Sequence, residues 1–311
     1  MSGHQPNGNL IPVFTAQMTI CFHCNTPLVL PTDLISYQVW GVALRSGIQV
    51  LDNWNGIQII DGGFTGNDTT LASGHNARLL LPLGTNLSIQ SDVDVEWNDC
   101  TFDNNTVAGQ KWSAQGAVHL SWRDPSRGLF GAFGGVGLSK HNDYLPDFGS
   151  DIRFVGGEGQ IYIDNITLYG QGAYLDVVSD EGGLEAEGFF VRGVGRYFMP
   201  DDSRFQVEGL FASLDDKDNF LKYDVYQWGA RFDTTWDNAP IVGSLPLFVA
   251  YRGTLRDGCF GTLPDSDTSD HTIMAGFSYH WGTNSRLDTD RRGATLDTPN
   301  AATFVSCYQP F

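Results

Sequence analysis

The sequence predicts an all-β protein: a closed, antiparallel, up-and-down transmembrane β-barrel of about 12 strands, with short periplasmic turns and long outer loops. Two observations support this prediction. Polarity alternates residue by residue along many short segments, and the connections between those segments alternate between short and long. No segment contains 18 uninterrupted apolar residues, so a transmembrane helix is not expected.

The clearest alternation lies in 225–236, VYQWGARFDTTW. One phase contains Trp228 and Phe232, and the other contains Arg231 and Asp233. Period-two alternation with many aromatic residues indicates a β-strand with one apolar and one polar face. A soluble sandwich would bury the apolar face against a second sheet, whereas a membrane barrel would turn it outward to lipid.

The remaining strands show the same division with varying clarity. In chain order the predicted strands are the apolar runs 56–64 and 77–83, the alternating segments 86–97 and 116–124, the glycine-containing segments 128–137, 154–163, 167–176 and 188–198, the alternating segments 204–211 and 225–236, the mixed segment 247–256, and the alternating segment 271–281. Glycine within a strand permits close approach or bending of neighbouring strands.

Connection lengths give the orientation. The short connections are 84–86, 124–128, 164–165, 200–203 and a proline-containing one after Trp236, and the long ones are 99–115, 140–151, 176–187, 215–224 and 257–270. Short turns at one rim and long loops at the other are typical of outer-membrane barrels. We therefore predict an N-terminal periplasmic extension at 1–50, a transmembrane barrel at 51–282, and a C-terminal periplasmic tail or plug at 283–311, which could also form a strand.

The polar phase predicts an enclosed lumen lined with ion pairs. All four lysines lie in the long loops, and arginine is the cation of the strands. Arginine suits close bidentate pairing with carboxylates. The predicted lumen network consists of Arg123, Arg192, Arg196, Arg231, Arg252 and Arg256 with Asp92, Asp94, Glu96, Glu158, Glu208 and Asp233.

Aromatic residues at strand ends predict an interfacial girdle on the apolar phase. These residues are Trp97, Trp122, Tyr197, Trp236 and Trp281. The alternative is a soluble β-domain with these aromatic residues in its core.

Four segments carry a family resemblance: GAVHLSWRDPSRGLFGAFGG, VGGEGQIYIDNITLYGQGAYLD, GFFVRGVGRYF and LDTDRRGATLD. They resemble a group of porin-like outer-membrane β-barrel proteins from Gram-negative bacteria, chiefly α-proteobacteria. The similarity covers approximately 76–297, and the stretch before Tyr37 departs from the pattern. The resemblance implies a location in the bacterial outer membrane and brings no catalytic residues.

Cysteine chemistry is limited. Cys21 and Cys24 form a CxxC pair around His23, and the residue after the motif is Asn25, so CxxCH haem attachment is not supported. A local or tail-linking disulfide, no special role, and a metal site that includes Cys307 all stay open. No cofactor is expected, because no helix follows the glycine cluster in GAFGGVG to receive a phosphate.

Three classes of function follow from this pattern. The first is a narrow porin-like channel for ions or small polar solutes, the second is a sealed structural or adhesive surface barrel, and the third is an outer-membrane hydrolase. His119 with Ser121, and Ser278 with His280, are the candidate catalytic pairs, but no orienting third group is visible in the sequence, so we expect no enzyme.

Charge and location suggest partners. The net charge of -18 argues against nucleic acid. The expected partners are outer-membrane lipid and lipopolysaccharide, small ions or polar solutes, and divalent cations at the acidic loops. The oligomeric state is open. The first residues lack the pattern of a signal peptide, so we expect that the numbering starts after processing or that the start is engineered or misassigned.

Overall fold

The structure is a computed structural model that describes residues 41–53, 69–99, 110–142, 148–179, 185–217, 222–239, 243–257, 268–281 and 285–304. The strands are β1 (Gly41–Asn53), β2 (Thr69–Leu83), β3 (Leu87–Asp99), β4 (Gln110–Asp124), β5 (Gly128–Asn142), β6 (Phe148–Ile163), β7 (Ile166–Ser179), β8 (Ala186–Phe198), β9 (Arg204–Asp216), β10 (Lys222–Ala239), β11 (Gly243–Asp257) and β12 (Thr268–Trp281). A short helix, α1 (Arg286–Arg292), and a single 3₁₀ turn, Ala301–Thr303, follow β12.

The strands form one antiparallel up-and-down sheet. Each strand from β2 to β11 pairs with the strands before and after it in the chain, and β1 pairs with both β2 and β12. This confirms the predicted all-β, antiparallel, up-and-down architecture. The order follows from the short connections, because a turn of two to five residues can join only neighbouring antiparallel strands.

The tight turns use the local chemistry expected for reversals. Gly84 between β2 and β3 has φ +88°, a left-handed conformation that glycine adopts without steric cost. Asp164 and Asp202 have φ of 47° and 62° in the β6–β7 and β8–β9 turns. Aspartate tolerates this region better than most residues, because its short side chain can hydrogen-bond locally.

The two faces of the sheet are inverted relative to a soluble protein. Large apolar side chains on the outer face are exposed, for example Phe130 (63%), Val155 (63%) and Val191 (49%). Charged side chains on the inner face are buried, for example Arg231 (8%) and Asp233 (2%). The alternation in 225–236 therefore places its aromatic phase outward and its charged phase inward.

The strands extend beyond their predicted ends. Strand lengths run from 13 residues in β1 to 18 in β10, whereas about 9 to 11 residues suffice to cross a bilayer. Most of the extra length lies toward the long connections, so part of each predicted long loop is strand, whereas β10 and β11 also extend into the short connection between them. β1 begins at Gly41 and therefore includes residues that the sequence assigned to the 1–50 extension. The predicted first strand, 56–64, lies outside the described residues.

The inner face is not polar along its whole length. Toward the long connections, β6 to β10 place apolar side chains inward, and these pack with the end of the C-terminal segment. The cluster contains Ala117, Phe133, Ile152, Phe154, Ala173, Leu175, Val177, Ala186, Phe190, Leu210, Ala212, Leu214, Val225, Ala301, Ala302 and Phe304. The polar network therefore occupies only part of the interior.

Candidate functional site: the filled interior

Residues 285–304 lie on the inner face of the sheet, and we call this segment the plug. Its contacts begin at the short-turn rim, where the Arg286 amide donates to Asp202. They end toward the long connections of β10 and β11. There, Gln227 Nε2 donates to Thr303 Oγ1 (2.7 Å) and Arg256 Nε donates to the Thr303 carbonyl (3.1 Å). The sequence left a tether, a plug and a strand open for 283–311. Over the described part, 285–304, the segment occupies the interior.

The plug begins with a capped helical turn. Ser285 Oγ accepts a hydrogen bond from the Asp288 amide (3.0 Å), and the Gly293 amide donates to the Thr289 carbonyl (2.8 Å) at the other end of α1. Arg286 anchors this turn to the rim, because its Nη2 donates to the Thr234 carbonyl (2.7 Å). A seven-residue helix has little stability alone, so these contacts hold it in place.

Asp290 joins the base of the plug to the sheet. Its carboxylate accepts hydrogen bonds from Arg196 Nη1 (2.7 Å), Thr167 Oγ1 (2.6 Å) and Thr295 Oγ1 (3.0 Å). Both Asp290 and Arg196 are almost fully buried. Removing either partner of such a buried ion pair strongly destabilises a protein, because the other charge stays buried without compensation.

Asp297 lies among three arginines at the middle of the plug. Its oxygens are 3.2 Å from Arg192 Nη2, 3.5 Å from Arg78 Nη2 and 3.6 Å from Arg196 Nη2. Burial disfavours the charged carboxylate, but attraction by Arg192, Arg78 and Arg196 outweighs burial and holds the pKa of Asp297 far below its usual range. Asp297 is therefore an anion that ties β2 and β8 to the plug.

His119 bridges two carboxylates of the inner face. Its Nδ1 lies 2.7 Å from Glu158 Oε1 and its Nε2 lies 3.1 Å from Asp92 Oδ1. The other oxygen of Asp92 accepts from both the amide and the hydroxyl of Thr298 (3.1 and 2.8 Å), and Tyr169 donates to Glu158 (2.7 Å). This chain of hydrogen bonds links β4, β6 and β3 to the plug.

Asp233 on β10 forms ion pairs with two arginines, Arg204 on β9 and Arg231 on β10. Arg204 donates to it through Nε and Nη2 (3.0 and 2.8 Å), and Arg231 donates through Nε and Nη2 (3.0 and 2.5 Å). The Arg231 guanidinium also lies over the Phe248 ring, 4.0 Å from its centroid.

The structure places all twelve residues of the predicted lumen network on the inner face, but it pairs them differently from a simple lattice. Glu208 Oε2 lies 2.5 Å from Arg192 Nη2, and Glu96 Oε1 lies 3.5 Å from Arg252 Nη1. Asn76 Nδ2 donates to Asp94 (3.4 Å). Arg123 donates to the plug's Gly293 carbonyl (2.7 Å), and Arg192 and Arg256 likewise donate to plug carbonyls, so these three arginines bind backbone of the plug.

Sequence reasoning missed several members of this site: Arg78, Arg204, His119 as a network member, Asp290 and Asp297. Arg78 lies directly opposite Asp92 in the β2–β3 register, and this charged cross-strand pair was a usable signal. Asp290 and Asp297 had no cross-strand signal, because Asp290 lies in the short helix α1 and Asp297 in an irregular stretch. Both belong to LDTDRRGATLD, one of the segments that carry the family resemblance, but that resemblance assigned them no contact.

Two small polar cavities lie along one side of the plug. The first, about 80 Å³, is lined by side chains that include Glu96, Glu208 and Arg252. The second, about 40 Å³, is lined by side chains that include Arg78 and His280. Gln206, Arg231 and Asp297 line both cavities, so the two are neighbours along the same side of the plug.

Four of the predicted girdle residues lie near strand ends on the outer face. Trp97 (47%), Tyr197 (43%) and Trp236 (52%) are exposed, and Trp122 stacks on Phe130 with ring centroids 5.3 Å apart. Trp122, Tyr197 and Trp236 lie toward the short turns, whereas Trp97 lies toward the long connections. The side chain of Trp281 lies outside the described part of the structure, as do Cys21, Cys24, Cys100, Cys259 and Cys307.

Neither candidate catalytic pair forms a triad among the described residues. Ser121 Oγ is hydrogen-bonded to Ser88 Oγ (2.9 Å), while His119 contacts Asp92 and Glu158. Ser278 Oγ lies 3.0 Å from His280 Nε2, but His280 Nδ1 is buried with no hydrogen-bond partner in the described structure. The ranges that the structure describes contain no group of three or more His, Cys, Asp or Glu residues that could hold a metal ion.

Within the described ranges, no helix has the length and apolar character needed to cross a membrane.

Comparison with known proteins shows the fold. No protein-family model and no curated protein matches the sequence. An outer-membrane channel from Pseudomonas putida F1 has a TM-score of 0.50 at 9% identity, covering 81% of this chain and 100% of that one. The translocator domain of the autotransporter NalP from Neisseria meningitidis has a TM-score of 0.48 at 10% identity, covering 80% and 91%. The similarity to the Pseudomonas putida channel shows that the chain has the fold of a bacterial outer-membrane β-barrel protein.

Proposed function

We propose that this chain is a closed twelve-stranded barrel of the bacterial outer membrane that acts as a narrow porin-like channel for ions or small polar solutes, with residues 285–304 as its plug. The observation that carries the channel is the pair of polar cavities that share Gln206, Arg231 and Asp297 on one side of the plug. A solute that passes the plug on this side meets mainly polar side chains, with a few apolar ones such as Leu210 and Met274.

Closure is supported by the pairing of β1. Its register with β12 runs from Val42 opposite Trp281 to Asn53 opposite Asp270, and its register with β2 runs from Gly41 opposite Leu80 to Asp52 opposite Thr69. A strand paired along both edges leaves no free edge, which is what the hydrocarbon core of a membrane requires.

Membrane insertion is supported by the outer face. The exposed apolar side chains occur on β2 to β12, and a continuous apolar surface of this extent is unfavourable in water. Outer-membrane lipid and lipopolysaccharide are the partners that such a face would contact. Divalent cations at the acidic loops remain part of the proposal, whereas the loops themselves lie largely outside the described residues.

Conductance of single molecules in planar bilayers tests the channel directly. Gln206→Trp fills the shared wall of both cavities and should lower the conductance, while Gln206→Ala should raise it. Val207→Trp is the matched control, since Val207 is the next residue on β9 and faces outward (47% exposed). A wild-type protein that inserts and folds but carries no current would contradict the channel.

A sealed structural or adhesive barrel is the second candidate. The buried apolar cluster around Phe190 and Phe304 favours it, because this cluster fills one side of the interior toward the long connections. The absence of current from the folded wild type would support this candidate.

We propose no enzymatic activity. The Ser278–His280 pair lacks a carboxylate on His280 Nδ1 among the described residues, and nucleophilic catalysis by serine requires an oriented base. Detergent-dependent hydrolysis of lipid or peptide that disappears in Ser278→Ala would overturn this proposal.

A further inference from the structure

The smaller cavity has an unusual concentration of cationic side chains. Four arginines line it, Arg78, Arg196, Arg204 and Arg231, together with Ser278 and His280. The carboxylates on its wall are Asp290 and Asp297, both from the plug. This cavity lies on the side of the plug that the proposed channel uses, but binding in it does not depend on conduction.

The charges around this cavity do not balance. Asp233 is shared by Arg204 and Arg231, and Asp290 pairs with Arg196. Asp297 is the only described carboxylate within ion-pair distance of Arg78, at 3.5 Å, and it also serves Arg192 and Arg196. Arg192 has Glu208 as a second partner. The four lining arginines thus have three carboxylates within ion-pair distance. Asp92 lies opposite Arg78 in the β2–β3 register but is hydrogen-bonded to His119 and Thr298, which leaves one positive charge in excess at the wall of this cavity.

Two donor-capable nitrogens at this cavity have no partner. Arg78 Nε and His280 Nδ1 are both buried, and neither makes a hydrogen bond in the described structure. Burying a polar group without a hydrogen bond is costly, and burying a charge without compensation costs more. Water would satisfy the two nitrogens but would leave the excess charge uncompensated.

We infer that this cavity binds a small monovalent anion, a halide or a planar oxyanion of three or four heavy atoms, between Arg78, Arg204 and His280. The volume of about 40 Å³ suits such an ion. One water needs about 10 to 15 Å³ by the same measure, so the cavity has room for roughly three waters or one ion of that size. The bound anion neutralises the excess charge and joins β2, β9 and β12.

Thermal unfolding of the detergent-solubilised full chain tests this site with nitrate as the probe. Sodium gluconate, whose anion is too large for the cavity, is replaced stepwise by sodium nitrate at constant ionic strength, so that screening does not change. A ligand that binds only the folded state raises Tm in a saturable way. We expect a saturable rise of several degrees in the wild type and in Arg127→Gln, whose side chain is 83% exposed in the β4–β5 turn.

Arg78→Gln removes the excess charge, so it should fold in gluconate and lose the saturable response to nitrate. An equal response in Arg78→Gln and the wild type, or a response in the wild type that never saturates, overturns the site. Wild-type crystals soaked in sodium bromide give an independent measurement that does not depend on the variant folding. An anomalous bromide peak in this cavity supports the inference, and density for water alone overturns it.

Discussion

Individual charged residues in this protein are buried where a soluble protein would expose them. Asp233 is 2% exposed and accepts hydrogen bonds from two arginines on adjacent strands. Taking these charges out of water is costly, and the cost is offset only while all partners are present. Such residues therefore act as a set.

Asp233→Asn should destabilise the barrel by about 3 to 5 kcal/mol, because Arg204 and Arg231 would stay buried without their carboxylate. Denaturant unfolding in detergent micelles measures this change. Asp124→Asn is the matched control: its carboxylate pairs with the exposed Arg127 in a turn, so we expect little change. Equal effects of the two substitutions would show that the inner charges are not buried as a set.

On the outer face we predict that adding a charge, not removing one, destabilises the barrel. Val191 lies at the middle of β8, is 49% exposed, and is opposite Phe211 on β9. Val191→Arg should cost about 2 to 4 kcal/mol in a lipid bilayer near its midplane, whereas Val191→Ile should have little effect. Folding titrations in lipid vesicles measure both variants. A tolerated arginine at this position would argue that the face meets water.

At the scale of elements, the plug is held mainly by side chains and hardly by regular structure. α1 has seven residues, and the rest of the segment is irregular apart from one 3₁₀ turn. Among the described residues, its ion pairs to the strands are those of Asp290 and Asp297 with three arginines of β2 and β8. Loss of these two charges should therefore release the segment while the strands stay paired.

Asp290→Asn combined with Asp297→Asn should make the chain sensitive to trypsin after Arg291 and Arg292. Mass spectrometry of the digest identifies the cleavage, and circular dichroism reports whether the sheet persists. Asp288→Asn is the control on the same helix, because Asp288 pairs with Arg292 within α1. Cleavage as slow as in the wild type would mean that other contacts suffice to hold the plug.

The strands were predictable from sequence, whereas the interior position of the C-terminal segment was one of several possibilities that the sequence left open. In β3 and β10 the alternating pattern identified both the strand and the face of each residue, because lipid outside and charge inside impose a strict period of two. The part of the interior toward the long connections was harder to predict, because Ile152, Leu175 and Leu214 place apolar side chains on the inward phase. Their partners are Phe304 and its neighbours, from a segment without periodicity, and docking of that kind depends on long-range contacts that a local pattern does not contain.

The whole molecule carries a net charge of -18, and most of this charge belongs to the predicted long loops. The predicted long loops contain 18 Asp and Glu and four Lys, so 14 of the 18 net negative charges belong to them. A rim that carries charges of one sign concentrates counterions at a channel mouth. An anion bound beside Arg78 would neutralise the excess cation further inside and leave the rim in control of selectivity.

The protein should therefore prefer cations when it conducts. The preference should weaken as salt rises, because the Debye length falls from about 10 Å at 0.1 M to about 3 Å at 1 M. Reversal potentials under a salt gradient measure it. Anion selectivity at low salt would show that the inner arginines control permeation.

The central claim is that the apolar face of the sheet meets lipid and the charged face meets the plug. Spin labels at Val118, Val191 and Val249, all outward on central parts of their strands, test it most directly in lipid vesicles after the five native cysteines are replaced by serine. We predict that these labels relax with oxygen and are shielded from a polar nickel reagent, whereas a label at Ser126 in the β4–β5 turn responds to the polar reagent. Accessibility of Val118, Val191 and Val249 to the polar reagent would contradict the account.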